Sequence, residues 1–175
     1  MVTASEKNRP SWHRRLVNGG AQLSLLLVFV LGIEAFLTRD SLGMEAPPIN
    51  ATSLSGEAFS LAHYRGEPVA IHFWASWCPV CELEQGMIDG LAKDLPLMTI
   101  AMQSGPADEV SAYLATQGVT YPVINDDSGW LAKQYGVKAV PATFILDGTG
   151  RVRFATRGYT TGWGLRIRLW LAGFF

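Results

Sequence analysis

Cysteine and histidine are scarce in this chain. Its 175 residues hold two cysteines, Cys78 and Cys81, and three histidines, His13, His63 and His72. A tetrahedral zinc site built on the pair needs two more such ligands, and His13 lies beyond the apolar segment described below. Glu82 follows Cys81 where haem attachment through Cys-x-x-Cys-His needs a histidine, so that chemistry is excluded. Charge is sparse too, at 17% of residues against the usual quarter. From Arg39 onward ten basic residues face thirteen acidic ones with no basic stripe, so a nucleic-acid partner has no electrostatic footprint. A nucleotide or flavin fingerprint is missing as well. The glycines of "DGTGRV" (147–152) are hairpin-turn chemistry and not a strand-to-helix G-x-G-x-x-G loop. No internal repeat and no low-complexity tract occurs.

What the chain has in excess is apolar residues, 49% in all, concentrated between Leu16 and Leu37. "LVNGGAQLSLLLVFVLGIEAFL" carries no charge from Leu16 through Ile33. As a helix it would run roughly 33 Å, enough to cross a hydrocarbon core of about 30 Å. Lys7, Arg9, Arg14 and Arg15 precede it against Glu6 alone, which places that end in the cytoplasm by the positive-inside bias. A cleaved signal peptide would need small residues before the cut, and "GIEAFLTRD" has no clear A-x-A site. The expectation is a basic cytoplasmic stretch over 1–15, a single-pass anchor over 16–37 in contact with lipid, a linker over 38–50 marked by Pro47 and Pro48, and a folded domain over 51–175 outside the cytoplasm.

Within that domain, strand and helix patterns alternate. "VAIHFW" (69–74) is the apolar, β-branched and aromatic run of a buried central strand. "VCELEQGMIDGLAKDLP" reads as a helix weakened by Gly86 and Gly90 and stopped by Pro96. "LMTIAM" reads as strand, "ADEVSAYLATQG" as helix, "YPVIND" as strand or loop, and "SGWLAKQYG" as a short helix capped by Ser128. "ATFILDGTGRVRFATRG" is a hairpin pattern, and "TTGWGLRIRLWLAGFF" is a closing helix with Leu165, Leu169 and Ala172 on one face. The alternation argues an α/β fold, and the hairpin an antiparallel edge.

The Cys78-Pro-Val-Cys81 stretch concentrates the chemistry. Pro79 suits the first helical position, where its missing N–H would be unpaired anyway. That puts Cys78 at a helix N-terminus, whose dipole and free N–H groups favour a thiolate. Cys81 follows one turn later, near enough for the two sulfurs to close a small disulfide ring. An exposed nucleophilic thiol backed by a sheltered resolving thiol suffices for thiol–disulfide exchange. A three-residue spacing closes too small a loop for a purely structural disulfide to add much. A two-thiolate copper(I) site stays open as the alternative, although Met44, Met87, Met98 and Met102 do not cluster in sequence.

"FWASWCPVC" resembles the Phe-Trp-Ala-x-Trp-Cys-x-x-Cys of the thioredoxin superfamily, and "VPATFILDGTGRV" resembles its cis-proline and edge hairpin. "SLAHYRGEPVAIHFW" is similar to the corresponding segment of membrane-anchored TlpA/ResA-type members, and the whole resembles the suppressor-of-copper-sensitivity protein D group. The resemblance covers roughly residues 48–175. It implies a thioredoxin-like fold with a central mixed sheet, flanking helices, and a terminal hairpin and helix. It implies that Cys78 attacks and Cys81 resolves, and that Pro141 is the cis-proline. Substrate would then be held by Trp77, Pro79, Pro141 and the backbone of Val140, with Trp74 supporting the site. His72 stands where many cytoplasmic thioredoxins carry a buried aspartate, so it becomes a proton-relay candidate for Cys81, set against a plainly packed histidine. Glu82 and Glu84 read as a solvated face.

The dipeptide between the cysteines lacks the histidine of strongly oxidising members, which leans the reading toward a reductase. The expected partners are client proteins with cysteines or disulfides, among them copper-handling proteins and cytochrome c maturation factors. An electron source, a transmembrane thiol donor, is expected as well. No cofactor is expected beyond the redox-active Cys78–Cys81 disulfide, and no metal. The expected location is the bacterial inner membrane, with the folded domain in the periplasm.

Overall fold

A computed structural model describes Gln22, Leu25 and residues 42–175. The chain divides into two units, Met1–Leu37 and Thr38–Phe175, and the fold below is that of the second. The anchor expected over 16–37 lies outside the described residues, apart from Gln22 and Leu25. Among the described residues no helix is long and apolar enough to cross a membrane.

A small antiparallel ribbon opens the unit, β1 (Asn50–Thr52) against β2 (Ala58–Ser60), and a 3₁₀ turn over Leu61–Tyr64 follows. Then come β3 (Val69–Trp74), α1 (Pro79–Ala92), β4 (Leu97–Met102), α2 (Ala107–Gln117) and β5 (Val123–Asp126). The chain continues through α3 (Trp130–Gln134), β6 (Ala142–Leu146), β7 (Val152–Arg157) and α4 (Gly162–Ala172). The main sheet has strand order β5-β4-β3-β6-β7. β3, β4 and β5 run parallel, while β6 and β7 add antiparallel pairs. This is the mixed sheet that the strand–helix alternation and the hairpin implied.

β3 is central and every one of its residues is buried. Strand alternation sends Val69, Ile71 and Phe73 to one face, where they pack with Met98, Ile100, Tyr135 and Phe144. Ala70 and Trp74 go to the other face, with Cys78, Cys81, Ile88, Leu165 and Leu169. The apolar stripes of α1 and α4 close that second face, which is why the Cys-Pro-Val-Cys turn ends up against the sheet.

The β6–β7 turn is held by Asp147, whose Oδ1 accepts from the backbone N–H groups of Thr149 at 2.8 Å and Arg151 at 3.0 Å. Gly148 must be glycine: a Cβ there would meet the Gly66 backbone at 2.8 Å.

Two expectations change. Ala46 and Ile49, placed in the linker from sequence, are buried in the core. Gly43 N–H donates to Val152 O at 2.7 Å, Val152 N–H to Met44 O at 3.0 Å and Ala46 N–H to Gly150 O at 2.9 Å. The paired prolines suggested a tether, but this stretch satisfies its backbone against the edge next to β7. Tyr135 OH in turn donates to Pro47 O at 2.8 Å. α3 is capped by Gly129 at φ +72°, with Ser128 Oγ accepting from Trp130 N–H only at 3.3 Å.

Candidate active site

Pro79 occupies the first turn of α1 and Cys78 its N-cap, with extended dihedrals of φ −99° and ψ 107°. The Cys78 sulfur takes the role a serine or aspartate side chain usually plays at such a position, accepting from Cys81 N–H at 3.2 Å. Cys78 and Cys81 are joined in a disulfide with their Cα atoms 5.3 Å apart. Cys78 is 5% exposed and Cys81 1%, so the difference in shelter between the two sulfurs is smaller than the sequence suggested.

The loops around the pair are anchored by polar contacts. Ser76 N–H donates to Ser104 Oγ at 3.0 Å, and Trp77 Nε1–H to Gln103 O at 2.9 Å. Gln103 has φ +46°, the left-handed region that non-glycine residues rarely adopt. Its carbonyl is thereby turned to the indole. Trp77 remains 58% exposed and forms an apolar rim with Val80 and Leu83. Trp74 is buried beneath: its Nε1–H donates to Thr99 Oγ1 at 3.2 Å, and its ring stacks on Tyr113 at 5.8 Å between centroids.

From the opposite side comes the turn before β6. The Val140–Pro141 peptide bond is cis, and the Val140 carbonyl oxygen lies 3.6 Å from Cys78 Sγ. In the dithiol form the Cys78 S–H can donate to that oxygen. Val140, Pro141, Trp77, Pro79 and the two cysteines therefore form one constellation.

His72 is 2% exposed and lies below this surface. Its Nδ1 is 2.9 Å from Thr143 Oγ1, and its Nε2 is 3.5 Å from Glu84 Oε1. Glu84 is fully buried, which corrects the solvated face expected for it; Glu82 is exposed as expected. The reason is helical spacing. Cys81, Glu84 and Ile88 recur at intervals of three and four and share the inward face of α1. Thr160 N–H donates to Glu84 Oε2 at 3.0 Å, leaving Oε1 with no hydrogen-bond partner closer than the imidazole. Burial pushes the Glu84 carboxyl up to about 7, partly offset by the Thr160 N–H. Burial likewise pushes His72 down to about 4. Each group is driven toward its neutral form, so near neutrality the imidazole is uncharged and the Glu84 carboxyl, on the face of α1 that Cys81 shares, is poised between its acid and its carboxylate.

The matched family model is AhpC/TSA, over residues 42–155. A thioredoxin-like protein of Haemophilus influenzae is 30% identical over 93% of this chain and 98% of its own length. The thiol-disulfide oxidoreductase ResA of Bacillus thuringiensis subsp. konkukian is 31% identical, over 73% of this chain and 78% of its own. The chain belongs to the AhpC/TSA family. Within that family its likeness is to the thioredoxin-like, TlpA/ResA-type members, so the chain is a thioredoxin-like disulfide oxidoreductase, and it carries the buried Cys78–Cys81 pair. The crystal structure of a thiol:disulfide interchange protein from Chlorobium tepidum shares the fold, with TM-score 0.65 at 23% identity, covering 75% of this chain and 97% of that one.

Glu84, Thr143, Thr160 and Gln103 were not among the sequence-derived site residues. The interval from Cys81 through Glu84 to Ile88 was the available signal for Glu84. The others are brought in by strand pairing and loop closure, which leave no local pattern.

Proposed function

We propose that this family member is a membrane-anchored, extracytoplasmic thiol:disulfide oxidoreductase that reduces disulfides in client proteins. The observation that carries the reading is the Cys78–Cys81 disulfide at the N-terminus of α1, facing the cis Val140–Pro141 turn. In the dithiol form, the Cys78 thiolate attacks one sulfur of a client disulfide, forming a mixed disulfide and releasing the other client sulfur as a thiolate. Cys81 then gives up its proton and attacks Cys78 Sγ. This closes the Cys78–Cys81 disulfide and releases the second client thiolate, so two electrons pass to the client. Glu84, buried beside His72 on the face of α1 that Cys81 shares, takes the proton when its carboxyl is ionised. Trp77, Val80 and Leu83 offer the apolar rim for a client segment, and the Val140 backbone offers it an edge to pair with. A transmembrane thiol donor returns the electrons, and copper-handling proteins and cytochrome c maturation factors are the proposed client classes. The 16–37 segment and the basic stretch before it support the anchor and the periplasmic location.

The test is a trap. In the full chain, Cys81→Ala blocks resolution, so mixed disulfides accumulate through Cys78 and can be isolated and identified. Trapping by Cys78→Ala with none by Cys81→Ala would reverse the two roles, and no trapping by either would remove the exchange mechanism.

A further inference from the structure

α4 is apolar on two opposite faces. Leu165, Leu169 and Ala172 are buried against the sheet. Trp163, Ile167, Trp170 and Phe174 recur at intervals of four, three and four, so they stack along the side that faces away. These four are 79%, 53%, 65% and 69% exposed. Trp170 and Phe174 touch edge to face at 4.6 Å between centroids. A surface helix ordinarily turns polar residues outward, and a row of large exposed apolar side chains marks a contact surface.

The position of the stripe indicates what covers it. The Phe175 ring lies 4.4 Å from the Arg153 guanidinium. The neighbouring Val152 exchanges backbone hydrogen bonds with Gly43 and Met44, where the chain enters the fold. Leu42 and Met44 are themselves 44% and 43% exposed, so exposed apolar side chains also stand at the point of entry. Gly43 follows Leu37 by six positions, roughly 20 Å of extended chain at most. Arg166 and Arg168 flank the stripe, Arg166 in an exposed ion pair with Asp94 at 3.1 Å, and no acidic side chain occurs from residue 158 to residue 175. Tryptophan and phenylalanine on one helical side, with arginines at its margins, is the composition of a helix lying in a lipid headgroup layer.

We propose that the outward face of α4, with Leu42 and Met44, docks on the surface of an anionic lipid bilayer. The inference rests on the anchored reading, which brings Gly43 close to lipid. Docking holds the redox site at a set height over the membrane, where a transmembrane thiol donor presents its own cysteines. Trp163 and Trp170 are the residues that enter the headgroup layer.

The test uses the full chain, carrying W12F so that no indole adjoins the anchor, reconstituted into phosphatidylethanolamine/phosphatidylglycerol vesicles with acyl chains brominated near the headgroup. Tryptophan emission is expected to be quenched, and W163F/W170F is expected to remove most of the quenched component. The exposed-face variant W163S/I167S/W170S/F174S should lose the quenching while keeping its circular dichroism spectrum and its exchange activity. Quenching that survives W163F/W170F unchanged overturns the proposal. So does shielding of these indoles from aqueous acrylamide that grows with the protein-to-lipid ratio without bromolipid quenching, which would assign the face to a second copy. Alkaline carbonate extraction separates the anchor from the docking. A chain released by carbonate but still quenched refutes the anchor and keeps the α4 contact. A chain retained but not quenched keeps the anchor and refutes the contact.

Discussion

At the scale of single residues, His72 and Glu84 make the sharpest prediction, because burial moves both toward neutrality. Their ordinary values are 6.5 and 4.5, and in the fold they stand at about 4 and about 7. Raising Glu84 adds stability that is complete below its unfolded value and lost as pH rises through its folded one. Lowering His72 does the reverse, since its unfolded form binds the extra proton between about 4 and 6.5. Between pH 4.5 and 6.5 the folded and unfolded pairs therefore each hold one proton, and the two slopes cancel. In Glu84→Gln only the histidine is left, so stability should rise with pH across that window by up to about 1.4 kcal/mol per unit. Urea unfolding at three pH values checks this, and parallel pH profiles for the wild type and E84Q would refute it. The cysteines were legible in the sequence because their spacing and Pro79 are local. Pro141 became legible only through the resemblance of "VPATFILDGTGRV" to the thioredoxin superfamily. Glu84 was not, since a carboxylate in a first helical turn defaults to solvent. What draws this one inward is His72 on β3 and the Thr160 N–H before α4, contacts across 12 and 76 residues.

At the scale of elements, α1 carries the site on a helix with two weak points. Gly86 and Gly90 lie on its outward side, and a Cβ at either would meet nothing within 4 Å. Neither has a positive φ, so alanine fits without strain. Each substitution should raise stability by about 0.5–1 kcal/mol, read as a higher denaturation midpoint, with Cys78 and Cys81 undisturbed. A loss of stability in both single variants would mean that α1 needs those glycines for a contact the structure does not contain. Most elements were legible because each announces itself locally: the unbroken apolar run of β3, the proline-started α1 and the glycine-turned β6–β7 hairpin. The start of the domain was not. Residues 43–49 are proline-rich enough to resemble a tether, and their pairing with residues 150–152, the Tyr135 bond to Pro47 and the burial of Ala46 and Ile49 make them part of the fold. α3, at five residues, is likewise set by its surroundings: Asp126 accepts from Leu131 N–H at 3.1 Å and from Ala132 N–H at 2.8 Å.

At the scale of the whole molecule, the direction of electron flow depends on which redox state the fold favours. Two effects oppose each other at the site. The α1 N-terminus and the Cys81 N–H stabilise a Cys78 thiolate, which favours the dithiol form. Burial of both sulfurs among Trp74, Ala75 and Ile88 penalises thiolates, which keeps most of the dithiol form neutral and removes that stabilisation. The helix-terminal effect is worth about 1 kcal/mol where exposed and up to about 2 where partly buried. Desolvating an unpaired charge costs more than that, and the nearest buried ionisable pair carries no net positive charge to offset it. Burial therefore wins, and the oxidised chain should be more stable to urea than the dithiol chain. Its reduction potential should then fall nearer −270 mV than −120 mV, a gap worth about 7 kcal/mol between the two redox states. Equilibrating the full chain with graded dithiothreitol buffers and following emission from Trp77, which adjoins Cys78 and is 58% exposed, measures that potential. Unfolding the two forms in parallel measures the same quantity by an independent route. A dithiol form more stable than the disulfide, with a potential near −120 mV, would reverse the direction and make the protein an oxidant of its clients. The Pro79-Val80 dipeptide leaned toward the same direction from what it lacks. The deciding term is how deeply α1, α4 and the cis Val140–Pro141 turn enclose the pair, which only the assembled fold displays.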